Sequence, residues 1–352
     1  MLLFETLADL PALWAQIPPI ALAYTGFLAL VALFLALDLG VFHREAHAVA
    51  MREAVTWTVI WVATAFAFNV ALYFFYENHW LGLGLNVPQI DGTIKPLVNG
   101  LEAAKLFLAG YVVEKSLSMD NVFVIAMIFG YFGTPAKYQH RVLFWGILGA
   151  LVMRGGMIAV GAQLIQTYSW VIYIFGGFLI LTAIKMAVVT TSGVDPEKNV
   201  LIRLVRRLMP VTTAYDGQKF FTRLDGRRAA TPLFLALVMV EFTDLVFAVD
   251  SIPAIFAITA DPFIVLTSNV FAILGLRSLY FCLAAMIDQF RYLKPALIGV
   301  LAFVGVKMLL VHSPYKIDTT VSLAVVLMIL ITGVVASVIA ARRSGERLGG
   351  AA

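Results

Sequence analysis

Charge is scarce in this sequence. Asp, Glu, Lys and Arg make up 13% of its 352 residues, where an ordinary soluble domain carries about 25%. Hydrophobic residues reach 61%, and a soluble chain could not cover that much apolar surface with so few charges. Cysteine is scarcer still. Cys282 stands alone, which excludes an intramolecular disulfide and any thiolate metal cluster. His43, His47, His79, His140 and His312 fall in polar stretches or at the ends of apolar runs, so a zinc or copper centre built on imidazole is not expected. There is no Gly-x-x-x-x-Gly-Lys-Ser/Thr phosphate loop and no His-Glu-x-x-His pair, which excludes two common ways of handling ATP and zinc. No pairing of nucleophile and base points to a membrane enzyme, and none is expected. The net charge of +4 is modest. It reads as loop charge facing anionic headgroups, not as a nucleic-acid footprint. The start, MLLFETLADL, has no basic stretch and carries Glu5 and Asp9, so a cleaved leader is not expected.

What is abundant is apolar sequence in long runs. A spanning helix needs roughly 20 mostly apolar residues. Windows of that kind cover Ile20–Phe42, Val55–Tyr76, Glu102–Phe132, Val142–Ile165, Ser169–Val189, Leu233–Ile258, Phe263–Ile287, Pro295–Val311 and Val321–Ala341. The expected fold is an all-α, polytopic transmembrane helical bundle of about nine spans. Lys and Arg in the loops set the orientation. The longest polar stretch, Thr190–Thr231, holds Lys198, Arg203, Arg206, Arg207, Lys219, Arg223, Arg227 and Arg228, which places it in the cytoplasm. Counting spans outward puts the N-terminus outside. The tail with Arg342, Arg343 and Arg347 then lies inside.

Two stretches resemble each other. GYVVEKSLSMDNVFVIA (Gly110–Ala126) lies on VMVEFTDLVFAVDSIPA (Val238–Ala254) after a slide of two residues, with Glu114 opposite Asp244 and Asp120 opposite Asp250. The next span of each unit carries an arginine, Arg154 or Arg277, and the third ends on Lys185–Met186 or Lys307–Met308. Three spans is an odd number, so the second unit enters the membrane from the opposite side. The expected organisation is two N-terminal spans with an external loop (1–101), a first three-helix repeat (102–190), a cytoplasmic loop (191–231), an inverted second repeat (232–312), and a last span with its tail (313–352). Inverted repeats are the architecture of many secondary transporters, whose sites lie at the repeat interface near the midplane.

Glu114, Asp120, Glu241, Asp244 and Asp250 all fall within apolar runs. A carboxylate at the bilayer centre costs roughly 2.5–3.5 kcal/mol on insertion scales, so each needs a cation, a basic partner, a proton or water. Asp38, near the inner end of the first span, is a sixth acid that reaches the interface or the interior. Glu114, Ser118 and Asn121 share one helix face at i, i+4 and i+7, and Glu241 and Asp244 share another at i and i+3. A six-residue offset swings Asp120 and Asp250 roughly 120° away. Either each helix is interrupted or these acids serve different partners. Pro253 favours an interruption in the second unit, with the Val249 carbonyl freed beside Asp250 and Ser251. Arg154 and Arg277 read as charge partners of the acids, and Lys185 and Lys307 as snorkelling span ends. The ligand set is all oxygen, which suits Mg²⁺, Ca²⁺ or Mn²⁺. The same acids could carry protons.

These residues resemble the TerC family of membrane proteins. The likeness rests on LDLGVFHRE (Leu37–Glu45), EKSLSMDNVFV (Glu114–Val124) and EFTDLVFAVDSIPA (Glu241–Ala254) and extends from about Leu37 to Lys307. The family takes its name from tellurium resistance, and some members are linked to alkaline pH and to metal loading of exported proteins. The resemblance implies a manganese exporter of the bacterial cytoplasmic membrane, related to the LysE type with its three-plus-three repeat. It also implies that Glu114, Asp120, Glu241, Asp244 and Asp250 are the family's intramembrane acids. The expectation is therefore export of Mn²⁺ as a transported ion, not a resident cofactor, in exchange for protons, by rocking of the two units around one cavity. A Ca²⁺ exchanger on the same site and a non-transporting scaffold for metal delivery or tellurite stress are the alternatives. Lipid, the ion and protons are the partners expected, and homo-oligomerisation is left open.

Overall fold

The computed structural model describes residues 18–40, 50–188, 200–224, 226–284 and 292–349. Helix runs through the described part of each apolar window of the sequence. Among the described residues α1 spans Pro19–Gly40, α2 Met51–Glu77, α3 Gly100–Phe132, α4 Ala136–Thr167 and α5 Val171–Val188. After the basic stretch come α7, Pro232–Phe256, then α8, Pro262–Leu274, with α9, Leu276–Ala284, and finally α10, Leu293–Leu309, and α11, Thr319–Gly349. The helix starts are chemically marked. Asn99 accepts from the Glu102 N–H at 2.9 Å ahead of α3, and Asp261 accepts from Phe263 and Ile264 N–H ahead of Pro262, the first residue of α8. At the other end of α3, Gly133 takes the left-handed conformation (φ 60°), and the Thr134 N–H bonds the Phe129 carbonyl at 2.9 Å.

The chain is a multi-pass integral membrane protein. Six helices are long and apolar enough to cross a bilayer, or seven if the bent pair α8–α9 counts as one span, against the nine windows read from the sequence. The difference lies in α3, diluted by Glu114, Lys115, Asp120 and Asn121, and in α10, which has 17 residues. Large apolar side chains such as Val59, Val70, Val152, Val160, Met328 and Ile331 are exposed on the rim of the bundle. A belt of that kind is soluble in lipid and not in water.

The packing places α3, α4, α7 and α8 at the centre. Gly146 packs on Val240, Gly149 on Glu241 and Gly161 on Phe256, so α4 and α7 run parallel in close contact. Gly110 of α3 meets Ile255, and Asn121 reaches Asp244, so α3 runs antiparallel to α7. A cluster of rings joins α1, α2, α3 and α8: Phe68 lies 4.6 Å from Phe271, and 5.6 Å from both Phe27 and Phe107. Such pairs add about 0.5–1.5 kcal/mol beyond their buried area. At α5 and α10 the backbones touch through Gly176 and Gly305.

Two polar regions are folded. The segment after α2 makes a hairpin, β1 (Leu85–Pro88) with β2 (Ile94–Leu97). Its tip residue Asp91 binds Lys316 at 2.8 Å, and His312 bridges the Asp91 carbonyl and the Tyr173 hydroxyl. Partial burial pushes the Asp91 carboxyl up, but hydrogen bonds from Lys316 and Thr93 outweigh it and hold the group at about 2. A depressed carboxyl of this kind contributes stability above its unfolded value, and the contribution is lost as pH falls through about 2. The basic stretch, read as a loop, instead carries a helix, α6 (Val200–Leu208), and a second hairpin, β3 (Phe221–Leu224) with β4 (Arg227–Ala230). Tyr215 fastens it to the bundle by donating to the Phe132 carbonyl at 2.8 Å.

Candidate functional site

The centre of the bundle holds a buried polar cluster on four helices. Arg154 of α4, exposed by only 2%, forms an ion pair with Glu114 of α3. The same guanidinium grips Asp244 of α7 with two nitrogens, Nη2 to Oδ1 at 2.9 Å and Nε to Oδ2 at 3.3 Å. Two amides complete the network. Asn269 of α8 donates to Glu114 Oε2 at 3.2 Å and accepts from Arg154 Nη1 at 3.4 Å. Asn121 of α3 donates to Asp244 Oδ1 at 3.2 Å. Glu114 and Asp244, paired by the sequence correspondence, thus converge on one arginine. With all three ionised, the cluster carries one more negative charge than positive.

The helix faces come out as the spacing requires. Glu114 and Asn121 reach the same cluster, and Ser118 between them is 1% exposed. Glu241, one turn before Asp244, also faces α4, where its carboxylate lies against Gly149. A β-carbon at Gly149 would occupy that space. Among the described residues Glu241 Oε2, Ser118 Oγ and Ser251 Oγ are buried without a hydrogen-bond partner. Ser116 and Thr243 bond back to the carbonyls of Val112 and Met239 on their own helices, both at 2.7 Å.

The remaining sequence candidates lie elsewhere. Asp250 accepts from Thr182 of α5 at 3.0 Å, with Lys185 as its charged neighbour. Asp120 has Lys294 of α10 as its charged neighbour. The expected interruption of α7 is absent: the helix is continuous from Pro232 to Phe256 with Pro253 inside it. Pro253 stands three residues from the helix end, where its missing N–H costs one bond, and its own carbonyl accepts from Ala257 N–H at 3.0 Å. The acids therefore serve different partners, the second of the two options their spacing allowed. Arg277 is not in the cluster. A 42° bend separates α8 from α9 two residues before it, and its Nη1 lies 2.9 Å from His140 Nε2. Lys307 does not snorkel; it is buried at 9% exposure beside Ser322, Ala109 and Val113. Asp38 lies in the last turn of α1, and its side chain lies outside the described residues. Among the described residues no three Asp, Glu, His or Cys side chains stand close enough together to hold a metal ion. Of the five acids expected around a single cavity, Glu114 and Asp244 share the Arg154 cluster, Glu241 lies against Gly149, and Asp120 and Asp250 flank them with other partners.

Two participants were not singled out from sequence. Asn269 is a lone amide in FIVLTSNVFAIL, the kind of residue a membrane helix keeps only for a partner. Lys115, next to Glu114 in the chain and half-buried, donates to the Ala272 carbonyl at 3.2 Å, at the bend where α8 ends. A helix C-terminus leaves carbonyls unpaired and attracts a cation. Gly275 makes room there, since a β-carbon would stand 2.7 Å from Lys115 Nζ.

Comparison with known proteins gives the chain's relatives. Residues 99–345 match the family described as "Integral membrane protein TerC family". An uncharacterized membrane protein of Myxococcus xanthus is 46% identical over 334 residues, covering 95% of this chain and 94% of its own length. A protein of Escherichia coli K12 named "Putative membrane-bound redox modulator Alx" is 46% identical, covering 88% of this chain and 92% of its own length. An uncharacterized membrane protein of Rickettsia felis is 38% identical, with coverages of 89% and 96%. No solved structure matches.

Proposed function

This chain belongs to the TerC family of integral membrane proteins, and on that premise we propose that it is a secondary transporter carrying divalent metal ions, Mn²⁺ foremost, out of the cytoplasm. The membrane is the bacterial cytoplasmic membrane, with the N-terminus outside and the C-terminus inside. The observation that carries this reading is the excess of buried carboxylate over buried guanidinium at Glu114, Asp244 and Arg154. Uncompensated charge away from water is costly, and a dication or a proton relieves it. The donors within reach are carboxylate, amide and hydroxyl oxygens of Glu114, Asp244, Asn121, Asn269 and Ser118, a set that hard divalent ions take.

In this proposal Arg154 is the resident countercharge. The ion enters as the guanidinium releases the two carboxylates, and re-pairing of Arg154 expels it on the far side. Glu241, over Gly149, is the acid that meets the ion outside the pair. Asp120 and Asp250, each beside a lysine, return protons. Ca²⁺ is the alternative cargo for the same oxygens, and competition between the two ions separates these cases. A redox role, as in the name of the Escherichia coli relative, would have to act without an intramolecular dithiol, because Cys282 is alone.

Uptake of Mn²⁺ into everted vesicles tests the proposal. Asp244→Asn and Glu114→Gln are each expected to lower flux by about tenfold or more, equivalent to at least about 1.4 kcal/mol, at unchanged membrane abundance. Wild-type vesicles that move no divalent ion under any gradient would sink it, and so would full flux in both variants. Gly149→Ala provides a second test. The added methyl displaces only the end of the Glu241 side chain, and alanine favours helix by about 1 kcal/mol over glycine. Thermal stability should hold or rise while flux falls. Unchanged flux would remove Glu241 from the ion path.

A further inference from the structure

The basic segment between α5 and α7 has a face that the bundle leaves uncovered. Helix α6 is nine residues long, VLIRLVRRL. Ile202 and Val205 dock it against the end of the bundle, in a cluster with Leu233, Leu235 and Ala236 of α7. Val200, Leu204 and Leu208 repeat at i, i+4 and i+8 and so form a stripe along another side. They are 68%, 48% and 72% exposed. In a soluble loop such a stripe has no purpose, and here it lies at the end of a membrane bundle. Arg203, Arg206 and Arg207 occupy the third side, exposed, and among the described residues none of them forms an ion pair. The neighbouring hairpin adds exposed Arg223, Arg227 and Arg228.

We infer that α6 is an interfacial helix that binds anionic phospholipid at the surface of the membrane the chain crosses. Three features commit the proposal to lipid as the occupant. The stripe is apolar, so it calls for acyl chains and not for water. Arginines flank it, and their long stems let the guanidinium rise to the headgroups while the helix sinks its leucines below them. The docked face is continuous with the bundle end through Ile202 and Val205, so the helix is held where the headgroup layer begins. Anionic lipid supplies the countercharge these arginines lack, and each basic residue near such a surface contributes on the order of 1 kcal/mol.

The test uses the full chain in liposomes. Cys282→Ser removes the only native thiol, and Leu204→Cys then carries an environment-sensitive fluorophore. With phosphatidylglycerol present, the fluorophore should be quenched by lipids brominated near the headgroup and shielded from aqueous iodide. Brominated phosphatidylglycerol should out-compete brominated phosphatidylcholine at the site. Each of Arg203→Gln, Arg206→Gln and Arg207→Gln should reduce that relative preference by about fivefold, the ratio matching the stated energy per residue. Free quenching by iodide in every lipid would overturn the proposal. So would equal affinity for the two lipids, which would leave apolar insertion without headgroup recognition. Shielding in native membranes that disappears in liposomes would assign the face to a protein partner and overturn it as well.

Discussion

Replacing Arg154 by methionine will destabilise the protein by about 3–5 kcal/mol, the usual cost of breaking a buried ion pair from one side. Glu114 and Asp244 are 1% and 8% exposed, so both would be left charged in a medium that cannot solvate them. The Asn269 and Asn121 amides each reach one of the two carboxylates, which softens the loss without supplying a charge. A triple variant, Arg154→Met with Glu114→Gln and Asp244→Asn, should recover most of the loss, because neutral groups of similar shape often replace a buried ion pair at little cost. Thermal unfolding in detergent measures both. A triple variant no more stable than the single one would show that Arg154 contributes mainly by filling space. The triple variant should also be silent in Mn²⁺ flux, which separates stability from transport.

Gly305→Leu is expected to cost about 1–3 kcal/mol or more by overpacking. A β-carbon at Gly305 would stand 3.0 Å from the Gly176 carbonyl oxygen and 2.8 Å from Ile180, and one at Gly176 would stand 3.1 Å from the Gly305 carbonyl oxygen. The Ile180 side chain can shift, but the two carbonyl oxygens belong to main chain and cannot swing aside. Small residues are what allow membrane helices to approach this closely. Gly177→Leu is the control, since a β-carbon there meets nothing within 4 Å. Equal melting shifts for Gly305→Leu and Gly177→Leu would mean that the α5–α10 crossing carries no special share of the stability.

Much of this arrangement can be read before any coordinates. Apolar runs locate the helices because lipid imposes their length. The i, i+4, i+7 spacing correctly puts Glu114, Ser118 and Asn121 on one face, and the intramembrane Arg154 is readable as a partner for buried acid. What sequence hides is direction in space. Arg277 sits in a matching position but lies beyond the bend at Gly275, which carries it toward His140. Pro253 is a helix breaker by its chemistry, yet it costs little where the helix is about to end. Asn269 and Lys115 are intelligible only once their partners, a carboxylate on another helix and a carbonyl at a bend, are in place. The basic stretch has no long apolar window, and its helix is only nine residues long, so a reading for membrane spans passes over it.

The contact between Gly176 and Gly305 also bears on how the molecule can move. By the sequence correspondence α5 closes the first unit and α10 the second, yet their main chains interlock. Two helices joined in that way turn as one piece, as cogs on a common shaft do. Rocking of the first and second units as whole bodies would therefore have to part this contact between main chains. The turn at Gly275 and the arginine contacts that join α4 to α3 and α7 offer joints that leave it whole. A boundary between moving and resting parts drawn through those joints would cut through both units of the sequence instead of running between them.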